Sequence, residues 1–124
     1  LDLSRAFAEV ARVLSPAGWA AFVEPLGHNP LINAYRRRTP QMRTPDEHPL
    51  RVEDLALARK HFENVDVDYF NLLTLASVPF RRFGFRDRLH ASLQQADGWL
   101  FRRFPPLRRH AWVAVIRLAA PRSA

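Results

Sequence analysis

Three short strand-like stretches, each separated from the next by a helical pattern, limit what this chain can fold into. Trp19 to Val23 is an unbroken apolar run between the turn Ser15-Pro16-Ala17-Gly18 and Pro25, and Ala111 to Leu118 reads as a second continuous apolar strand. Runs of that kind are expected of strands buried on both faces of a sheet. Val65-Asp66-Val67-Asp68-Tyr69-Phe70 instead alternates, as a strand with one wet face at a sheet edge does. Between them lie helices. Phe7, Val10, Ala11 and Leu14 recur at i, i+3, i+4 and i+7, Asn29-Pro30 offers a cap and a first helical residue, and Arg36, Arg37 and Arg38 close that second helix before Thr39-Pro40. Val52, Leu55, Ala58 and Phe62 mark the inward face of a third helix, with Glu53 and Asp54 in its first turn. Phe85, Leu89, Leu93, Ala96, Leu100 and Phe104 mark a long fourth helix, which Gly98 weakens by about 1 kcal/mol relative to alanine and which Pro105-Pro106 ends. Helix and strand alternate throughout, and such an order belongs to a layered α/β domain.

Composition narrows the chemistry more than the fold. No cysteine is present, which excludes disulfides, thiolate nucleophiles and sulfur-ligated zinc, and which fits a cytoplasmic setting. The apolar runs fall well short of the roughly 20 residues of a membrane-spanning helix. The stretch from Leu1 to Leu14 reads as the inside of a domain, not as a signal segment, so the chain is expected to begin mid-domain. Its formal charge of +7 is uneven: residues 1–80 carry 9 basic and 10 acidic side chains, residues 81–124 carry 10 and 2. Arginines 81, 82, 86, 88, 102, 103, 108 and 109, interleaved with Phe80, Phe83, Phe85, Trp99, Phe101 and Phe104, describe either a solvated helix face or a surface for RNA or an anionic membrane. No nucleic-acid motif supports RNA, and peripheral membrane contact stays open. The five histidines are at least 13 residues apart, so none forms a helical metal pair, and no metal is expected.

The phrase Ala8-Glu9-Val10-Ala11-Arg12-Val13-Leu14-Ser15-Pro16-Ala17-Gly18-Trp19 resembles the helix, proline-glycine turn and strand of class I S-adenosylmethionine-dependent methyltransferases, with Ala17 where a glycine is usual. Glu24-Pro25-Leu26-Gly27-His28-Asn29-Pro30-Leu31-Ile32-Asn33 and Arg43-Thr44-Pro45-Asp46-Glu47-His48-Pro49-Leu50 resemble segments of a small-molecule subgroup of that family. The resemblance implies that residues 1–124 are the C-terminal portion of one Rossmann-like domain. Its three strands would be the fifth, sixth and seventh of a seven-stranded sheet, in the order 5-7-6 with the last antiparallel, and residues 71–110 would form a helical lid or insertion. It also implies S-adenosylmethionine as methyl donor, although the four scattered glycines form no glycine-rich turn and no ribose-binding acid is present. The isolated chain is therefore expected to be inactive.

Ligands of open α/β sheets bind beyond the carboxyl ends of the strands, which places Glu24, Gly27, His28 and Asn29 at the mouth where a small, hydrophobic acceptor would lie. His28 and His48 are the candidates for proton transfer, and Glu24, Asn29, Asn33, Arg43 and Asp46 for acceptor binding. Each has a plainer alternative. Asn29 caps a helix, Glu24 caps a neighbouring backbone group, and the segment from Arg43 to His48 is turn chemistry built on two prolines and a threonine. The apolar segment from Leu72 to Phe85 and the fourth helix serve either as a lid over the acceptor or as core.

Overall fold

The computed structural model describes residues 2–42 and 49–122. Its centre is a sheet in the order β1-β3-β2, formed by β1 (Trp19–Pro25), β2 (Phe62–Phe70) and β3 (Val113–Pro121). β3 pairs antiparallel with both neighbours, with Phe22 opposite Ile116 and Val67 opposite the same residue from the other side. β1 and β2 therefore run in one direction with the last strand inserted between them, the order and direction expected above. The long connection from β1 to β2 holds α2 (Pro30–Arg38) and α3 (Leu55–His61), and α1 (Leu3–Val13) precedes the sheet. From β2 the chain passes through a 3-10 helix (Leu73–Phe80), α4 (Arg86–Arg103) and a second 3-10 helix (Pro105–His110) before it enters β3.

Each helix starts and stops for a local reason. The Asp2 carboxylate caps α1 by accepting the Arg5 N–H at 3.1 Å, and α1 ends in the expected turn, where Gly18 N–H donates to the Ser15 carbonyl at 2.8 Å. A β-carbon on Gly18 would stand 2.9 Å from Ser15 Oγ and 3.0 Å from its carbonyl oxygen, so the turn closes tightly only around glycine. The third expected helix divides at its start into a 3-10 turn, Val52–Asp54, followed by α3, and Phe62 already belongs to β2. Its inward face is as expected: Leu55, Ala58 and Phe62 are buried. Asn71 turns the chain out of β2 with a φ of 65°, a left-handed conformation that asparagine tolerates, and its carbonyl accepts the Trp112 N–H at 2.9 Å.

The core lies on one face of the sheet. Ala114, Ile116 and Leu118 of β3 are buried there, with Phe22 of β1 and Val65, Val67 and Tyr69 of β2 packed beside them against Phe7 of α1, Leu55 and Ala58 of α3 and Phe101 of α4. The Tyr69 and Phe101 rings meet at 6.3 Å. Burying a side chain the size of Ile116 or Leu118 contributes roughly 1.5–3 kcal/mol, so this face holds most of the fold's apolar stabilisation. The other face buries nothing. Trp19 and Val23 are 68% and 67% exposed on it, and Asp66, Asp68 and Arg117 stand in solvent, with Arg117 paired to Asp68 at 3.2 Å.

Two expectations are corrected here. β1 is not buried on both faces, because it is the free edge of the three-stranded sheet and helices cover only the side of Ala20 and Phe22. β3 is central, yet it too is buried on one side only, and Arg117 interrupts its apolar run on the open face. In α4 the stripe Leu89, Leu93, Ala96 and Leu100 is half-buried, while the fully buried residues are Asp97 and Phe101. The 3-10 segment Leu73–Phe80 packs against α4, and Asp97 lies beneath its first turn. Gly98 does not split the helix, which continues unbroken to Arg103.

Candidate functional site

β1 and β2 both end at the same edge of the sheet, opposite the start of β3 at Val113. Leu26 and Leu50 form a parallel bridge there. Leu26 N–H donates to Trp112 O at 2.8 Å, Gly27 N–H to Leu50 O at 2.9 Å, and Leu50 N–H to Pro25 O at 3.0 Å. These bonds hold the loop carrying His28 and Asn29 against the segment that leads into α3. Asn29 is 5% exposed and uses both ends of its side chain: Oδ1 accepts from the Leu31 and Ile32 N–H groups at 3.0 and 3.1 Å, and Nδ2 donates to His110 O at 2.7 Å. The helix cap is thus present, and it also ties α2 to the segment before β3. Asn33 Nδ2 donates to Gly27 O at 2.7 Å, and Arg36 Nη1 donates to Leu26 O at 3.2 Å and to Asn33 Oδ1 at 3.3 Å. Asn29 and Asn33 therefore shape the loop, with their amides turned toward the backbone.

His28 stands in a small charged group. Its Nε2 lies 3.2 Å from Glu53 Oε2 and 3.3 Å from the Val52 backbone nitrogen, and the side chain is 16% exposed. A bare Nε2 accepts the Val52 N–H; a protonated Nε2 donates to the Glu53 carboxylate. One nitrogen cannot do both at once, so the place of the ring proton, on Nδ1 or on Nε2, decides which neighbour it holds. Arg109 approaches the second Glu53 oxygen at 3.4 Å. Glu53 is held below the usual carboxylate value first by its own backbone N–H and then by the charges of His28 and Arg109, although desolvation opposes the shift. His110 Nδ1 is buried and meets no hydrogen-bond partner among the described residues.

Glu24 does not join this group. It lines a cavity of about 140 Å³ between α1 and the covered sheet face, with Leu3, Phe7, Phe22, Leu50 and Ile116 around it. A larger cavity of about 500 Å³, lined by Arg12, Lys60, His61 and Arg122 over Ala8, Ala11 and Leu14, opens at the opposite end of the sheet. Arg43, Asp46 and His48 lie outside the described residues. Among the described residues no group of three or more His, Asp and Glu side chains could hold a metal, and no helix is long and apolar enough to cross a membrane.

The sequence reading missed Glu53 and Arg109 as neighbours of His28, because they are separated from it by 25 and 81 positions and only the tertiary fold joins them. Glu53 stands out in sequence solely as a first-turn acid. A second grouping, also absent from that reading, lies under the 3-10 helix. Asp97 accepts the N–H groups of Leu72, Leu73 and Thr74 at 2.9, 2.7 and 3.2 Å and the Thr74 hydroxyl at 2.6 Å. Beside it, Ser77 Oγ lies 3.1 Å from His90 Nδ1 and donates its proton to the Thr74 carbonyl at 2.8 Å. That hydroxyl is 2% exposed and its proton is already committed to a carbonyl, so the pair is structural and not an activated nucleophile.

No family model matches this sequence, and no curated protein or solved structure matches it either.

Proposed function

We propose that the chain forms the acceptor side of a class I S-adenosylmethionine-dependent methyltransferase that acts on a small, hydrophobic acceptor. The observation that carries this reading is the sheet order, with an antiparallel last strand between two strands of common direction, as the resemblance implies for the end of such a domain. The bare edge and open apolar face of β1, at Trp19 and Val23, are where the remaining strands and helices of a seven-stranded sheet would pack.

The glycines of this chain do not fit the donor. None has a positive φ, Gly18 closes a turn at the far end of β1, Gly84 precedes α4 and Gly98 lies within it. Only Gly27 is at the mouth, where a β-carbon would rest 3.4 Å from Pro49. No step is therefore derived through the donor. The residues present can bind and orient an acceptor, which methyl transfer requires above all, and a base is needed only where the acceptor atom carries a proton. With Nε2 turned to Glu53 and Val52, His28 acts as a positioning residue that fixes the loop around Gly27.

Two measurements test this. Calorimetry on the 124 residues is expected to show no S-adenosylmethionine binding. The complete reading frame that encodes them is expected to transfer radiolabelled methyl groups to solvent-extractable small molecules. Micromolar donor binding by the 124 residues would remove the half-site reading. A complete frame that binds no donor would remove the methyltransferase reading altogether. In that protein, His28→Ala is expected to weaken acceptor binding with little change in donor binding. Loss of the chemical step alone, with a shifted pH profile, would make His28 a base instead.

A further inference from the structure

The turn between the 3-10 helix and α4 places three phenylalanines in solvent. Phe80, Phe83 and Phe85 are 40%, 56% and 51% exposed, and their rings pack on one another, with centroids 5.5 to 6.1 Å apart and Phe83 stacked on Phe85. Val78 and Leu73 are exposed on the same segment. This apolar knob is held in one shape. Phe83 N–H donates to Phe80 O at 2.9 Å and Arg86 N–H to Phe83 O at 3.0 Å, while Asp97 and the Ser77–His90 contact fasten the 3-10 helix beneath it. Arg81, Arg82 and Arg88 lie beside it in the chain, all exposed.

The exposed side of α4 continues the pattern. Arg88, Gln95, Trp99 and Arg102 recur at i, i+7, i+11 and i+14, so they share one face, and each is exposed. At its far end Trp99 and Phe104 meet edge to face at 6.1 Å, with the Arg103 guanidinium 5.5 Å above the Phe104 ring. The 18 residues of α4 span about 27 Å, so aromatic groups stand at both ends of a basic strip of that length. Residues 71–110 hold eight arginines and two acidic residues, and one of the two, Asp97, is buried with its oxygens engaged.

We propose that this face docks on an anionic lipid bilayer, with the Phe80–Phe83–Phe85 knob entering the headgroup and acyl boundary and the arginines bound to lipid phosphates. Charge decides among the occupants. A second copy would bring one strongly basic surface against another. Single-stranded RNA spreads its bases over separate ring faces along a groove, whereas Phe80, Phe83 and Phe85 pack on one another as one knob, and residues 78–86 offer no hydrogen-bonding side chain other than arginine. A bilayer needs what is present: exposed aromatic bulk, adjacent arginines, and an order already fixed by the fold.

The test is co-sedimentation of the 124-residue protein with vesicles of phosphatidylcholine alone and of an equal mixture of phosphatidylcholine and phosphatidylglycerol. Binding is expected on the mixed vesicles and at least tenfold weaker on the neutral ones. The triple variant Arg81→Gln/Arg82→Gln/Arg88→Gln is expected to lose roughly a hundredfold in affinity at low salt. Arg86 is left in place because its Nε is buried. The variant Phe83→Ser/Phe85→Ser, which changes exposed residues only, is expected to lose about tenfold or more with an unaltered circular dichroism spectrum. A Phe83→Trp variant should shift its emission to the blue on mixed vesicles. Equal binding to both vesicle types, or variants that bind as the parent does, would overturn the proposal. So would tighter binding to a single-stranded RNA oligonucleotide, or dimerisation abolished by Phe83→Ser.

Discussion

Two clusters, each built on a carboxylate, tie distant parts of this chain together. Under the 3-10 helix, Asp97 is 3% exposed and receives four hydrogen bonds from one short segment. At the sheet mouth, the Glu53 side chain is 64% exposed and meets His28 and Arg109 at 3.2 and 3.4 Å. The first cluster has no capacity left for a ligand. Its oxygens satisfy N–H groups that would otherwise be buried without partners, which is a structural task. The second stands in solvent, with one Glu53 oxygen turned to His28 and the other to Arg109. Burial thus separates a cluster whose oxygens are fully engaged from one that stays open to solvent.

Removing Asp97 should have the largest effect. Asp97→Ala leaves three backbone N–H groups and a hydroxyl without an acceptor in a buried position, and about 3 kcal/mol or more of unfolding free energy should be lost. Asp97→Asn keeps the shape but turns a donor toward donors, so it should recover only part of that loss. Urea unfolding followed by circular dichroism measures both. Alanine and asparagine variants as stable as the parent would erase the distinction between the clusters.

The strands were legible in the sequence because their signal is local. The turn at Ser15 to Gly18, the asparagine cap at Asn29 and the alternation at Val65 to Phe70 all recur in the structure where they were expected. What is bare was not legible. An apolar run such as Trp19 to Val23 states that a strand prefers burial on both faces, whereas among the described residues one face of β1 is covered and the other is open. Nor was Asp97 legible, since a lone acid amid Leu93, Ala96 and Leu100 looks like the polar side of a helix, and its role depends on backbone groups 23 to 25 positions earlier. The candidate site was legible in part. His28 falls beyond the end of β1, whereas Glu53, which it meets, and Arg109, which meets Glu53, come from other elements.

Asn29 should rank second. Asn29→Ala removes the cap of α2 and frees the His110 carbonyl, and a loss of about 1–2 kcal/mol is expected in the same unfolding assay. Asn29→Asp keeps the acceptor for the cap but cannot donate to His110 O, so the difference between the two variants reads the bond across the mouth. Equal stability of Asn29→Asp and the parent would show that the cap alone matters.

The smallest effect is expected at Glu53, and its sign can be worked out. Its carboxyl is held below the ordinary 4.5 in the folded protein by its own backbone N–H and by the charges of His28 and Arg109. A group so shifted favours folding when it is ionised. Its contribution is complete above 4.5 and is lost as the pH falls through the depressed value. Glu53→Gln should therefore be slightly less stable than the parent at neutral pH, and the two should converge in melting temperature as the medium is acidified below the carboxylate range. Because Glu53 is exposed, added salt should narrow the gap as well. In the His28→Ala background the gap should shrink without closing, since Arg109 and the backbone N–H still act on the carboxylate. A gap that widens on acidification would mean that Glu53 is unfavourable when charged, and its contacts with His28 and Arg109 would then not favour the fold as the Asp97 contacts do.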